Sequence, residues 1–228
     1  MLAALALVYK LLPLYATVAL GWVAGRYLDA SGRHIAGIMM YIVTPSVIFA
    51  GVMNAPLSTE VVMLPFLTFS LCSLLGLLHL FVARRWLHDG NTGYFGIPVA
   101  LLLFGEQGLS IYIVCMLGTT LFENSVGFYL AARGRFGVRD CVLKVARLPS
   151  LYAFFLAVAL NYSNVSIPAA FMPLFDNLRG AYSVLGMMII GMSILSFQGL
   201  AGNPRFTALA FFGKFVSWPL AALVFWLL

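Results

Sequence analysis

The chain has 228 residues, 63% of them hydrophobic and only 9% charged, with a formal net charge of +6. A soluble domain carries roughly 25% charged residues, so this composition predicts an all-α integral membrane protein. Its basic residues are scattered through short loops, which excludes a nucleic-acid surface and fits topology signals.

A helix crossing about 30 Å of hydrocarbon needs about 20 apolar residues, so eight crossings are expected with no room for a soluble domain. Span one runs from about Ala4 to Gly25, with Pro13 in its first half and Lys10 able to snorkel to an interface. The first charge is Lys10, so the N-terminus reads as the start of a span rather than a cleavable signal. Span two, about Ile35 to Met53, is centred on Thr44, Pro45 and Ser46. The proline frees a carbonyl and the two hydroxyls can partly re-satisfy it, so a helix break is expected there. Span three is Thr59–Val82.

The next stretch, NTGYFGIPVA at 91–100, is too short and too broken for an ordinary membrane helix. Pro98 lacks an N–H and its ring clashes with the carbonyl four residues back. Gly93 and Gly96 loosen the same turn. Such a break survives in lipid only where protein or a watery cavity serves the backbone, and discontinuous helices build the sites of many transporters. A merely kinked, protein-packed helix is the alternative. A tight turn follows at Gly105–Gly108, with Glu106 expected as a solvated loop charge.

Span five, Leu109–Ala131, carries a polar stripe. Thr120, Glu123, Asn124 and Gly127 fall at i, i+3, i+4 and i+7, one face of an α-helix, and Thr119 adjoins them. A carboxylate in mid-bilayer costs about 3 kcal/mol, so it faces a cavity or a partner. Glu123 and Asn124 could hold a cation or proton; the alternative is an internal hydrogen bond pinning the helix to a neighbour. The segment 133–145 reads as a basic cytoplasmic loop. Span six covers about Ala146 to Leu160. The loop after it matches the glycosylation pattern at Asn161 and Asn164, a pattern too short to carry weight. Span seven, about Pro168 to Phe197, carries Asp176 and Arg179, spaced to pair on one helix face. Span eight runs from about Phe206 to Leu228, with Lys214 inside it.

The loops after spans one, three, five and seven hold ten of the thirteen Lys and Arg residues, and those after two, four and six hold none. This alternation places the N-terminus outside and the 133–145 loop in the cytoplasm of a cell membrane. Cys72, Cys115 and Cys141 form neither a disulfide framework nor a metal spacing. His34, His79 and His88 belong to no catalytic motif, so no enzyme activity, catalytic residue or metal site is expected; an intramembrane enzyme is the remote alternative.

The stretch Leu12–Ala16 matches Leu148–Ala153 with one gap, at an offset of about 136 residues. Five spans separate the two, and an odd number inverts the second unit, as in inverted-repeat transporters. The expected organisation is 1–132 as a first five-helix repeat, 133–145 as the loop, and 146–228 as the first three helices of a second repeat. On that basis the last two spans of ten are absent. A non-transporting scaffold or fragment is therefore an alternative function, and a complete eight-span protein is the alternative organisation.

Three motifs resemble the auxin efflux carrier family of permeases: YIVTPSVIF at 41–49, NTGYFGIPVA at 91–100 followed by LFGE at 103–106, and a proline-opened span seven leading to IIGMSI at 189–194. The resemblance implies two inverted five-helix repeats, similar to bile-acid sodium symporters, with broken helices crossing near the midplane. Spans one, two, six and seven would form a scaffold and a homodimer surface. The substrate would be a small organic anion, such as auxin in plants or malonate in bacteria, and the short loops favour a bacterial-type member. The resemblance assigns substrate binding to Asn91, Thr92, Gly93, Gly96 and the Pro98 break. By position it assigns a coupling Na+ or H+ to Thr119, Thr120, Glu123 and Asn124. Lipid and the anion are the expected partners, with no cofactor.

Overall fold

A computed structural model describes residues 2–28, 30, 32–82, 93–131, 137–195 and a few positions between 211 and 223. The helices are α1 (Leu2–Tyr27), α2 (Gly32–Ile38), α3 (Thr44–Met53), α4 (Thr59–Val82), α5 (Gly93–Phe122), α6 (Phe128–Ala131), α7 (Val138–Ala146), α8 (Pro149–Tyr162) and α9 (Met172–Ile194). Among the described residues the structure is all-helical. Three stretches there are long and apolar enough to cross a membrane: Gly32–Met53, Thr59–Leu77 and Val99–Gly127. Large apolar side chains such as Leu20, Leu74, Phe155 and Leu156 are more than half exposed on the outer surface. That surface suits lipid, in keeping with an integral membrane protein.

Span two is one helical run rather than two pieces. Between α2 and α3 the chain widens into a π turn at Met39–Val43, where the Thr44 N–H reaches back to the Met39 carbonyl. Pro45 explains it: an α-turn would drive the ring into the Tyr41 carbonyl, and a wider turn moves that carbonyl away. The Ser46 hydroxyl donates to the Ile42 carbonyl at 2.8 Å. The expected break at Thr44, Pro45 and Ser46 is therefore a widened turn with a hydroxyl in support.

The helix expected to break at Pro98 does not break there. α5 is helical from Gly93 through Pro98, and its one non-helical residue is Gly105, at φ 66° and ψ −167°. Pro98 lies past the first turn, and the helix carries it at the cost of one missing N–H bond. Gly105 holds a left-handed φ that other residues adopt at a cost. The chain folds back here. Gly96 lies against the Tyr112 ring, although sixteen intervening steps of straight helix would hold them roughly 24 Å apart. Ile97 and Ala100 of the first arm and Leu109 and Ile113 of the second are buried in one cluster. The stretch Val99–Gly127 is thus two arms, and only the second is long enough to span.

α1 packs along α9, α3 along α8, and α4 along the second arm of α5. The α1–α9 contact is made by glycines. A methyl group at Gly191 would strike the Val18 carbonyl and lie 2.7 Å from the Trp22 nitrogen, and one at Gly21 would strike the Met188 backbone. Small residues allow helix backbones this close in a bilayer. α4 meets α5 where the Thr68 hydroxyl touches the Cys115 carbonyl at 3.1 Å, opposite Gly118. The central cluster draws on Val47, Ile48, Val52, Val114, Leu117, Phe154 and Tyr182. Cys72 and Cys115 are free thiols, buried and half-buried respectively, in packing positions.

The segment expected as a loop at 133–145 is instead a helix from Val138. Asp140 accepts the Gly137 N–H at 3.1 Å and closes its first turn. Lys144 lies 3.6 Å from the centre of the Phe128 ring, which docks α7 against α6. Span eight and Lys214 lie largely outside the described residues.

Candidate functional site

The two groups of residues singled out in the sequence fall in different parts of α5 and its extension. Asn91 and Thr92 lie outside the described residues. Gly93 opens α5, Gly96 takes the Tyr112 ring, and the helix passes through Pro98.

The polar stripe of span five falls on a second π turn, Glu123–Gly127. Wide turns of this kind are frequent at functional sites because they leave backbone groups out of the α ladder. Thr119, Thr120, Glu123 and Asn124 are half-buried, and Gly127 is buried. The Thr119 hydroxyl donates to the Met116 carbonyl at 2.8 Å. The Asn124 amide donates to the Thr120 carbonyl at 2.9 Å, and the Ser125 hydroxyl donates to the Leu121 carbonyl at 2.5 Å. These bonds all run back within their own helix. With the Glu123 carboxylate, the turn supplies oxygen ligands, the kind a hard cation or a proton takes. α4 and α7 both pack against this turn.

A second constellation sits at the opposite end of the bundle from α7. A cavity of about 400 Å³ lies between the end of α3, the Gly105 turn and the start of α9. Val47, Asn54, Glu106, Ser110, Ile113, Phe175, Asp176 and Arg179 are among the residues that line it. Arg179 donates to Glu106 at 2.6 Å and to Asp176 at 3.1 Å. The expected Asp176–Arg179 pair is present. Glu106, expected as a solvated loop charge, instead completes a triad. Its side chain is 66% exposed, against 29% for Arg179, so the bond sits at the cavity mouth. The turn at Gly105 signalled that Glu106 would be presented, but nothing local ties it to a residue 73 positions away.

At the same end, the Asn161 side-chain amide donates to the carbonyls of Val52, Met53 and Ala55 at 2.8, 3.0 and 3.1 Å. Its glycosylation-type sequence has a structural use. An amide at the end of one helix satisfies the orphan carbonyls at the end of another.

Two archaeal proteins are similar to this chain, and both are named uncharacterized transporters. One, from Methanocaldococcus jannaschii, is 30% identical over 191 residues, covering 75% of this chain and 62% of that protein. The other, from Methanothermobacter thermautotrophicus, is 29% identical over 173 residues, covering 69% of this chain and 57% of that protein. The chain thus spans less than two thirds of the length of either relative. No family model matches it, and no solved structure matches it.

Proposed function

We infer that this chain belongs to a secondary membrane carrier of small organic anions, of the auxin efflux carrier type. It works by alternating access and draws on a cation or proton gradient across the cell membrane. The observation that carries this reading is the similarity to two proteins named as transporters along most of this chain. The geometry supports it in three ways. The reversal at Gly105 gives a short helical arm folded back on a longer one, the kind of discontinuous helix carriers use for their sites. The π turn at Glu123 presents oxygen ligands for a coupling ion. The helix pairing also suits an inverted repeat. A two-fold that exchanges spans one and six, and two and seven, converts the α1–α9 pair into the α8–α3 pair, and both pairs are in contact.

In this reading Asn91 donates to the substrate carboxylate near the start of α5, where a helix N-terminus favours an anion. Glu123 and Asn124, with Thr119 and Thr120, take the coupling Na+ or H+. The test is uptake of radiolabelled malonate into proteoliposomes holding the purified protein, with a sodium or a proton gradient. Accumulation that collapses with the gradient is expected. Uptake equal to empty liposomes under both gradients would retire the carrier. Asn91→Ala should lower uptake by about tenfold or more, the worth of one hydrogen bond to a charged ligand, at unchanged protein yield.

A further inference from the structure

We propose that the cavity between α3, the Gly105 turn and α9 binds a small zwitterion with an apolar side group, the chemistry of a neutral amino acid. Its volume of about 400 Å³ is that of a small-molecule site, roughly 300–1,000 Å³. Charge alternates across its mouth in the order Glu106, Arg179, Asp176. A guanidinium has five N–H groups. The bonds to Glu106 and Asp176 leave others for a ligand carboxylate, and 29% of the Arg179 side chain is open to receive it. The two carboxylates are 66% and 61% exposed. Each accepts more than one hydrogen bond when ionised, so their outward oxygens can hold an ammonium without releasing Arg179.

The sum of the triad is one negative charge. A dianion meets net repulsion there, and a simple cation leaves the arginine unused. A zwitterion engages both signs. The rest of the cavity fixes the other end of the ligand. The Ser110 hydroxyl donates to the Glu106 carbonyl at 3.1 Å and the Asn54 amide gives one of its two N–H groups to the Ala50 carbonyl at 3.0 Å. Val47, Ile113 and Phe175 form apolar wall. Phe175 is held in place by stacking on Phe49, with ring centres 5.7 Å apart. A charged head at the mouth and an apolar body against this wall is the arrangement of leucine or valine. Because Glu106 belongs to the turn and Arg179 to α9, such a ligand touches both elements at once.

The experiment is calorimetric titration of the purified full chain with L-leucine. The comparison ligands are isopentylamine, which lacks the carboxylate, 4-methylpentanoate, which lacks the ammonium, and malonate. Leucine should bind saturably and about tenfold more tightly than each of the others, since each analogue forfeits one charge-assisted hydrogen bond. Arg179→Gln should erase the preference for leucine over isopentylamine. Glu106→Gln with Asp176→Asn should erase the preference over 4-methylpentanoate. Tighter binding of malonate, absence of saturable leucine binding, or leucine binding unchanged in both variants would overturn the site. Should Arg179→Gln fail to give monodisperse protein, the four ligands on the unaltered chain decide alone. Titration needs no gradient. Malonate uptake without leucine binding removes this site and leaves the carrier, and leucine binding without uptake does the reverse.

Discussion

Where α1 crosses α9, backbone lies on backbone, with Gly21 and Gly191 removing everything that would hold the helices apart. Along α5 the chain instead departs twice from α-helix, at the Gly105 reversal and at the Glu123–Gly127 π turn, and polar side chains gather at both departures. The first region gains its stability from dispersion and close approach. The second gives up regular hydrogen bonding and regains part of it through side chains such as Asn124 and Ser125. A membrane protein that must be rigid in one place and able to rearrange in another can divide its helices this way. Close packing is built where no polar group is needed, and irregularity where polar side chains gather.

That contrast can be broken from either side. The largest effect is expected from Gly191→Leu, which has no space against the α1 backbone. Overpacking of this kind costs about 3 kcal/mol or more, and the expected outcome is loss of monodisperse protein on size exclusion. Gly180→Ala, in the same helix with nothing near its added methyl, should leave yield and Tm unchanged or slightly raised. Next comes Asn161→Leu. It removes the side-chain donor from the carbonyls of Met53 and Ala55, while that of Val52 keeps the Ala55 N–H, a loss of about 1–3 kcal/mol seen as a lower Tm. Asn161→Asp should be no better, because a carboxylate facing three carbonyls offers no donor. Gly105→Ala and Gly105→Asn should each cost about 1–3 kcal/mol, because φ 66° with ψ −167° lies in a region essentially confined to glycine; Tm values equal to that of the unaltered chain would show that the turn relaxes freely. The smallest effect on stability is expected from Glu123→Gln, about 0.5 kcal/mol or less for a polar swap. Its effect belongs in function: the sodium or pH dependence of uptake should change. An unchanged dependence would return Glu123 to a packing role.

Much of this architecture could be read from the chain. The span from Thr59 was legible because a long apolar run follows the Asn54–Ser58 turn. The turn at Gly105–Gly108 was legible from its glycines. The position of the break in α5 was not. Pro98 is carried inside the helix at the cost of one bond, and the reversal instead uses the positive φ of Gly105. The Glu123 stripe was legible as polar and inward, but its α-spacing was not kept. A π turn holds more residues per turn, which shifts everything after Glu123 around the axis. The Thr44–Ser46 region shows the same substitution of a wide turn for a break. The helix at Val138–Ala146 was hidden by its charge, which made it look like loop. The Glu106–Arg179 bond and the Asn161 contacts were out of reach for another reason. They join residues 73 and more than a hundred positions apart, and nothing in either neighbourhood names the partner.

The Asn161 contacts also set an order of events. Met53 is made 108 residues before the amide that reaches its carbonyl. At roughly 5–20 residues per second, the end of α3 stands in the nascent protein for about 5–20 seconds before its donor exists. The end of α3 is therefore completed by a residue of α8, a segment synthesised long after it.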